Sequence, residues 1–258
     1  MAMGNPFQKI VLSLLAAAAL GSATTLARAQ GEESVPALPV ENLSPVPGNA
    51  SREYIVISGG PALREWEKLK KHSHDHTWAN FINASVVRWE QIHKVSKAGD
   101  KLTWMVYRTG YERRGKEDNA NEIGAIENKA KALGVHVKWF RSGGELIDYI
   151  NNGYPRDSVK IANLDYFGHS NKYCWMFDYS NSIDGCSWAY LHVKDMPGLR
   201  YGSFVQNAKV WSWGCHSAEA FCQDWERYTG SHMVGTVGKT DYSTGGLPVV
   251  TRAPGWVY

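Results

Sequence analysis

Apolar residues come along this chain in short bursts, separated by longer stretches of helical period. The first burst is Tyr-Ile-Val-Ile-Ser-Gly-Gly at 54–60. A continuous β-branched run that stops at two glycines predicts a strand buried on both faces, followed by a tight turn. Similar bursts lie at 101–110 (KLTWMVYRTG), 135–143 (VHVKWFRSG), 159–170 (VKIANLDYFGHS), 208–215 (AKVWSWGC) and 232–238 (HMVGTVG). Helical period occupies the stretch from Pro61 to about Ile92, broken near 72–76, and then 117–133, 144–153 and 217–230. Gly134 is placed to stop the second of these. The charged segment 111–118 (YERRGKED) reads as a surface turn, and 171–207 reads as irregular. Strands alternating with helices predict an α/β domain of three layers: a mostly parallel sheet of about six strands with helices on both faces. In such sheets chemistry gathers at the carboxyl ends of strands. That directs attention to Gly59 and Gly60, Arg108 and Thr109, His169 and Ser170, Cys215 and His216, and residues 239–242.

The pattern ahead of the first strand is different. Residues 10–20 form an apolar core after Lys9, and Ala27-Arg28-Ala29 has the small-x-small form of a signal-peptidase site. Residues 1–29 therefore read as a secretory signal peptide cut after Ala29. The apolar run is shorter than the ~20 residues of a spanning helix, so a secreted or periplasmic protein without a stable membrane anchor is expected. Residues 30–52 carry Pro36, Pro39, Pro45 and Pro47 and no period, which predicts a Pro-rich extended linker or a pro-segment. Residues 53–258 then make a single domain. Loss of Lys9 and Arg28 with the leader leaves a nearly neutral chain with no basic stripe, which argues against a nucleic-acid partner. The chain has neither GxGxxG nor GxxxxGK[ST], so no phosphate cradle and no cofactor are indicated. Oligomeric state is not legible. Eleven Trp and thirteen Tyr fit either a packed aromatic core or an aromatic-lined cleft for a peptide or sugar.

Four cysteines are present: Cys174, Cys186, Cys215 and Cys222. Export permits disulfides. Cys174 and Cys186, in a loop-like region, are the preferred pair. Two turns of a helix starting at Ser217 would hold the Cα atoms of Cys215 and Cys222 about 10 Å apart at 1.5 Å per residue, beyond the ~7 Å reach of a bridge. Cys215 is then left as a thiol. It ends one strand and His169 ends another. If these strands are neighbours, at ~4.8 Å spacing, both side chains reach one rim. A helix starting just after Cys215, capped by Ser217 with Glu219 in its first turn, would present unpaired N–H groups to a thiolate and to an oxyanion.

This order of elements resembles the caspase-like cysteine peptidases, the group of caspases, metacaspases, gingipains and legumains. Cys215-His216-Ser217 is similar to the Cys-His-Ser-Gly of metacaspases, and Tyr166-Phe167-Gly168-His169-Ser170 to their Tyr-Ser-Gly-His-Gly. The resemblance implies a caspase-like fold and hydrolysis of a peptide or protein through an acyl-enzyme. Carried over, Cys215 is the nucleophile and His169 the general acid/base. The backbone N–H groups of Cys215 and Ser170 would form the oxyanion hole, with Gly214 and Ser217 as support. Trp213 stands where metacaspases carry an acid serving basic substrates, so that specificity does not carry over.

Two rival readings follow from the residues themselves. The fold could serve as a non-catalytic binding or scaffold domain. Alternatively, Gly168-His169-Ser170 opens like a nucleophile elbow, making Ser170 a serine-hydrolase nucleophile, which requires a helix directly after Ser170. His72 and His76 are the residues to consider for a metal, being i, i+4 on one helix face, but Ser73 occupies the place of the Glu that a catalytic zinc motif needs. No metal site is expected.

Overall fold

The computed structural model of the protein describes residues 51–62, 78–178 and 189–257. The predicted leader, the linker up to residue 50, His72, His76 and Cys186 lie outside them. The elements in chain order are β1 (Arg52–Ser58), α1 (Asn80–His93), β2 (Lys101–Tyr107), α2 (Arg108–Asp118), α3 (Glu122–Leu133), β3 (His136–Phe140), α4 (Gly143–Asn152) and β4 (Lys160–Phe167). Three short strands follow: β5 (His169–Asn171), β6 (Cys174–Met176) and β7 (Tyr190–His192). After a 3-10 turn, Val193–Gly198, come β8 (Phe204–Ser212), a second 3-10 turn, Ser217–Glu219, then α5 (Phe221–Thr229) and β9 (Met233–Thr236). The chain closes with β10 (Thr240–Asp241), β11 (Val249–Val250) and β12 (Trp256–Val257).

The central sheet runs β12-β9-β8-β4-β1-β2-β3, and every pairing is parallel except that of β12 with β9. The α/β class and the mostly parallel sheet are as expected. The sheet has seven strands rather than about six. The seventh, β12, pairs through only two residues, Trp256 and Val257, too few to show an alternation.

Both faces of the sheet are covered, which is why its strands are apolar throughout rather than alternating. Tyr54, Val56, Trp104 and Val106 pack with Ile82 and Trp89 of α1 and Ile126 and Ala130 of α3. Ile55, Ile57 and Met105 pack on the opposite side with Leu146 and Ile150 of α4 and Phe221 and Trp225 of α5. Each of these aliphatic side chains contributes about 1.5–3 kcal/mol on burial. Trp89, Trp104, Trp175, Trp213 and Trp225 are among the largest fully buried side chains, so these five tryptophans build the core rather than a cleft. No described helix is long and apolar enough to cross a membrane.

Three local expectations are corrected. Residues 111–118 belong to α2 and are not a turn. The ion pairs Arg108–Glu112 at 2.6 Å and Arg114–Asp118 at 2.8 Å, each i, i+4, support a helix with little apolar content. Residues 171–207 are not irregular throughout, because β5, β6 and β7 form an antiparallel sheet of their own. Their strands are three residues long, below the length at which a period shows. Finally, α5 begins at Phe221 and not at 217. The intervening residues turn as a 3-10 segment after His216, whose φ of 59° lies in the left-handed region.

Two buried ionic clusters lock the sheet. At one end, Arg156 Nη1 donates to Glu53 Oε2 at 2.5 Å, while the Thr103 and Tyr149 hydroxyls each donate to Glu53 Oε1 at 2.8 Å. Beside β8, Arg88 Nε donates to Asp165 Oδ2 at 2.9 Å and Trp213 Nε1 donates to Asp165 Oδ1 at 2.7 Å. Asn163 Nδ2 donates to the same Oδ2 at 2.5 Å.

Candidate active site

The order of strands reverses between β1 and β4: β2 and β3 continue on one side, β8 and β9 on the other. Such a switch point opens a crevice beyond the carboxyl ends of the strands, where ligands of α/β sheets bind. The end of β1 is pressed against its neighbours. Gly59 N–H donates to Phe167 O at 2.8 Å and Gly60 N–H to Phe177 O at 2.7 Å. A Cβ on Gly60 would stand 2.6 Å from the Phe177 carbonyl oxygen, so this close approach requires glycine.

His169, two residues past the end of β4, and Cys215, three past the end of β8, follow neighbouring strands. β4 and β8 pair in parallel with Leu164 opposite Val210 and Tyr166 opposite Ser212, and Trp213 N–H still donates to Tyr166 O at 2.9 Å. Beyond the sheet, the Ser170 hydroxyl donates to the Cys215 carbonyl at 2.5 Å. The His169 ring is half-buried and stands edge-on to Phe81 of α1, centroids 5.0 Å apart at 87°. Its Nε2 is shielded from solvent. The Tyr166 hydroxyl donates to the His169 carbonyl at 2.7 Å and so fixes its backbone.

Cys215 is half-buried and a free thiol. Its sulfur lies 3.5 Å from Thr240 Oγ1 and receives the Thr240 N–H at 3.4 Å. The segment 239–242 was singled out as a strand end, but nothing in the sequence showed that it returns to the sulfur. Phe81 was missed as well, because it sits on a helix far from either motif.

The supporting residues do other work than expected. Ser170 is buried and followed by the β5–β6 hairpin rather than a helix. The geometry of a nucleophile elbow is therefore absent, and the Ser170 hydroxyl braces the two rims instead. Gly214 is required by that brace: a Cβ there would run into Ser170 Oγ and stand 2.8 Å from Ser170 Cβ and 3.0 Å from Gly168 O. Ser217 is fully buried and does not cap a helix. Its hydroxyl lies 3.3 Å from Gly214 O and 3.5 Å from Ser212 O, and accepts the Thr236 N–H at 3.4 Å, tying β8 to β9. With α5 starting at Phe221, the chain directly after the thiol is the short 3-10 turn Ser217–Glu219 and not an α-helix.

The sulfurs of Cys174 and Cys222 are sealed in. Burial pushes the Cys222 thiol up to about 12, opposed by a hydrogen bond from Ser217. In the folded protein Cys222 is expected to resist alkylation that Cys215 accepts, which mass spectrometry of the labelled peptides checks. Cys174 is buried with its sulfur 3.5 Å from Asn171 Oδ1. Its expected pairing with Cys186 involves a residue outside the described ones, and no disulfide forms among the described residues.

The acids near strand ends are engaged in local contacts. Asp165 belongs to the buried cluster with Arg88, Asp178 receives Arg113 Nη1 at 2.6 Å, and Asp241 accepts the Ser243 N–H at 2.8 Å. Trp213, two residues before Cys215, points into the core and not into the crevice.

His216 and Glu219 form a pair on the rim, His216 Nδ1 lying 2.5 Å from Glu219 Oε1. The same oxygen accepts the Gly238 N–H at 3.3 Å. The hydrogen bond with His216 holds the Glu219 carboxyl below the usual carboxylate range, with burial opposing and charge from His216, the Gly238 amide and Lys172 assisting. A lowered carboxyl stabilises the fold fully above the unfolded value of about 4.3 and loses that contribution as pH falls through the folded value. Glu219→Gln should therefore flatten the acid limb of stability, read as urea midpoints between about pH 5 and pH 3.

No protein-family model matches this chain, and it matches neither a curated protein nor a solved structure.

Proposed function

We propose that the protein is a cysteine hydrolase that cleaves amide bonds in peptides or proteins, with Cys215 as nucleophile and His169 as general acid/base. One observation carries this reading. The parallel pairing of β4 with β8, continued by the Ser170–Cys215 hydrogen bond, sets the two strand ends on one rim beside the switch point. The order of the two motifs, similar to that of caspase-like peptidases, supports it. In the reaction the thiolate sulfur bonds to the carbonyl carbon and the C–N bond breaks. His169 delivers the proton to the leaving amine, then takes one from the water that hydrolyses the thioester. Thr240, through its N–H and hydroxyl, holds the sulfur while this happens.

The test compares the wild-type protein with Cys215→Ala and His169→Ala on a mixed peptide library, with release of new amino termini as the readout. Both variants should fall by at least about a thousandfold. If wild type and Cys215→Ala release amines equally, the reading fails. A non-catalytic binding or scaffold domain is the second reading, favoured by the shielding of His169 Nε2. It predicts no amine release from the wild type and retention of selected peptides.

A further inference from the structure

We propose that Glu219 is a positioning residue for Cys215, acting through His216 and Gly238 to hold the Thr240 amide on the sulfur. The inference shares with the proposed function only the premise that Cys215 is a reactive thiol.

The argument begins at His216. Its φ of 59° lies in the left-handed region, which strains a residue with a Cβ, so something must hold it there. Three contacts do so. His216 N–H donates to Gly238 O at 2.6 Å, Glu219 N–H donates to His216 O at 3.2 Å, and the imidazole Nδ1 meets Glu219 Oε1. Glu219 Oε1 also takes the Gly238 N–H. Gly238 is thus gripped on both backbone groups, its N–H by Glu219 and its C=O by His216. The Thr236 hydroxyl adds a third contact, donating to Gly238 O at 3.1 Å.

Two residues beyond Gly238, Thr240 places its N–H 3.4 Å and its hydroxyl 3.5 Å from Cys215 Sγ. A chain gripped at Gly238 has little freedom left by Thr240, whose side chain is itself buried. The left-handed turn at His216 and the grip on Gly238 close a ring through 215, 216, 219, 238 and 240. Glu219 is the member that bonds to both sides of it. The pair is only about a third exposed, His216 36% and Glu219 31% by side chain, so it acts at the mouth of the crevice, where Lys172 also faces Glu219. Thr240 remains in contact with Cys215 when Glu219 is lost, but its amide is no longer held to one position.

The experiment measures the rate at which iodoacetamide alkylates Cys215 in the full-length protein, from pH 5 to 9, with Cys215→Ala as blank. In this step sulfur bonds to the methylene carbon and iodide leaves. Glu219→Ala should lower the rate at pH 7 roughly five- to tenfold, the worth of one held donor, and move the midpoint of the profile. Glu219→Gln keeps an oxygen acceptor for both donors and should recover most of the rate. His216→Asn, which tolerates the left-handed turn, should mimic Glu219→Ala and serves if that variant fails to fold. Wild-type rates and midpoints in both Glu219→Ala and His216→Asn, with circular dichroism unchanged, overturn the proposal, as does a wild-type thiol that never alkylates. Peptide hydrolysis is scored separately. Shifted alkylation without hydrolysis in any variant keeps the positioning role and removes the hydrolase; hydrolysis with unshifted alkylation does the reverse.

Discussion

Asp165→Ala should destabilise the protein by about 3–5 kcal/mol, the usual cost of removing one partner from a buried ion pair. The side chains of Arg88 and Asp165 are 1% and 0% exposed. Without Asp165 the guanidinium keeps Gln91 Oε1 at 2.8 Å on Nη1, while its Nη2 already has no hydrogen-bond partner. Trp213 would lose its acceptor at the same time, and buried indole N–H groups are costly to leave unmet. Asn163 Nδ2 would lose one too. With a urea slope near 2 kcal/mol per molar, the midpoint should fall by about 1.5–2.5 M at unchanged slope. Replacing both charges, Arg88→Met with Asp165→Leu, should recover much of that loss, since two apolar side chains of similar volume avoid the desolvation of both ions. A midpoint for Asp165→Ala within about 0.5 M of wild type would mean that the cluster is not what secures β8 beneath the site.

The second large effect is expected at Gly214. In Gly214→Ala the new methyl group has nowhere to go. Ser170 is buried, with its hydroxyl committed to the Cys215 carbonyl at 2.5 Å, and on the other side stands the Gly168 carbonyl, which is backbone. The rims of β4 and β8 must part, at an overpacking cost of about 1–3 kcal/mol. The same movement separates Ser170 from Cys215, so alkylation and hydrolysis should drop well beyond what the stability loss explains. Adding Ser170→Ala removes the obstructing oxygen. The double variant should therefore regain stability relative to Gly214→Ala alone, a coupling expected for residues in direct contact. Strict additivity in that cycle would contradict the close packing of the two rims.

Much of this architecture was legible because its cause is local. A strand buried on both faces must be apolar along its whole length, so Ile55–Ile57 and Trp104–Val106 announced themselves, and Gly134, with φ of 66°, ended α3 where a glycine should. That β4 and β8 are neighbours stood in the sequence only as a condition, and their parallel pairing meets it. What was not legible depends on distant partners. The α2 segment is polar, and its helix rests on ion pairs that hydrophobic period does not register. Ser217 looked like a cap because of its type and place. Its hydroxyl turned inward because Thr236 N–H on β9 and two carbonyls of the β8 end needed it. Thr240 meets the sulfur across 25 positions, and Gly238, two residues before it, is held by Glu219 across 19. The aromatic content carried no address at all; six of the tryptophans and five of the tyrosines are buried in the core.

The strand order has a consequence for the time course of folding. β1, β2 and β3 follow one another outward, each able to dock on the strand before it. The crevice, by contrast, needs β4 to return beside β1, a closure whose buried ion pair joins Glu53 to Arg156 across 103 positions, and only then can β8 add to β4. Non-local pairings of this kind form slowly. A nascent chain would thus carry half a sheet until its last third had emerged, so the two rims meet only when nearly everything else is in place.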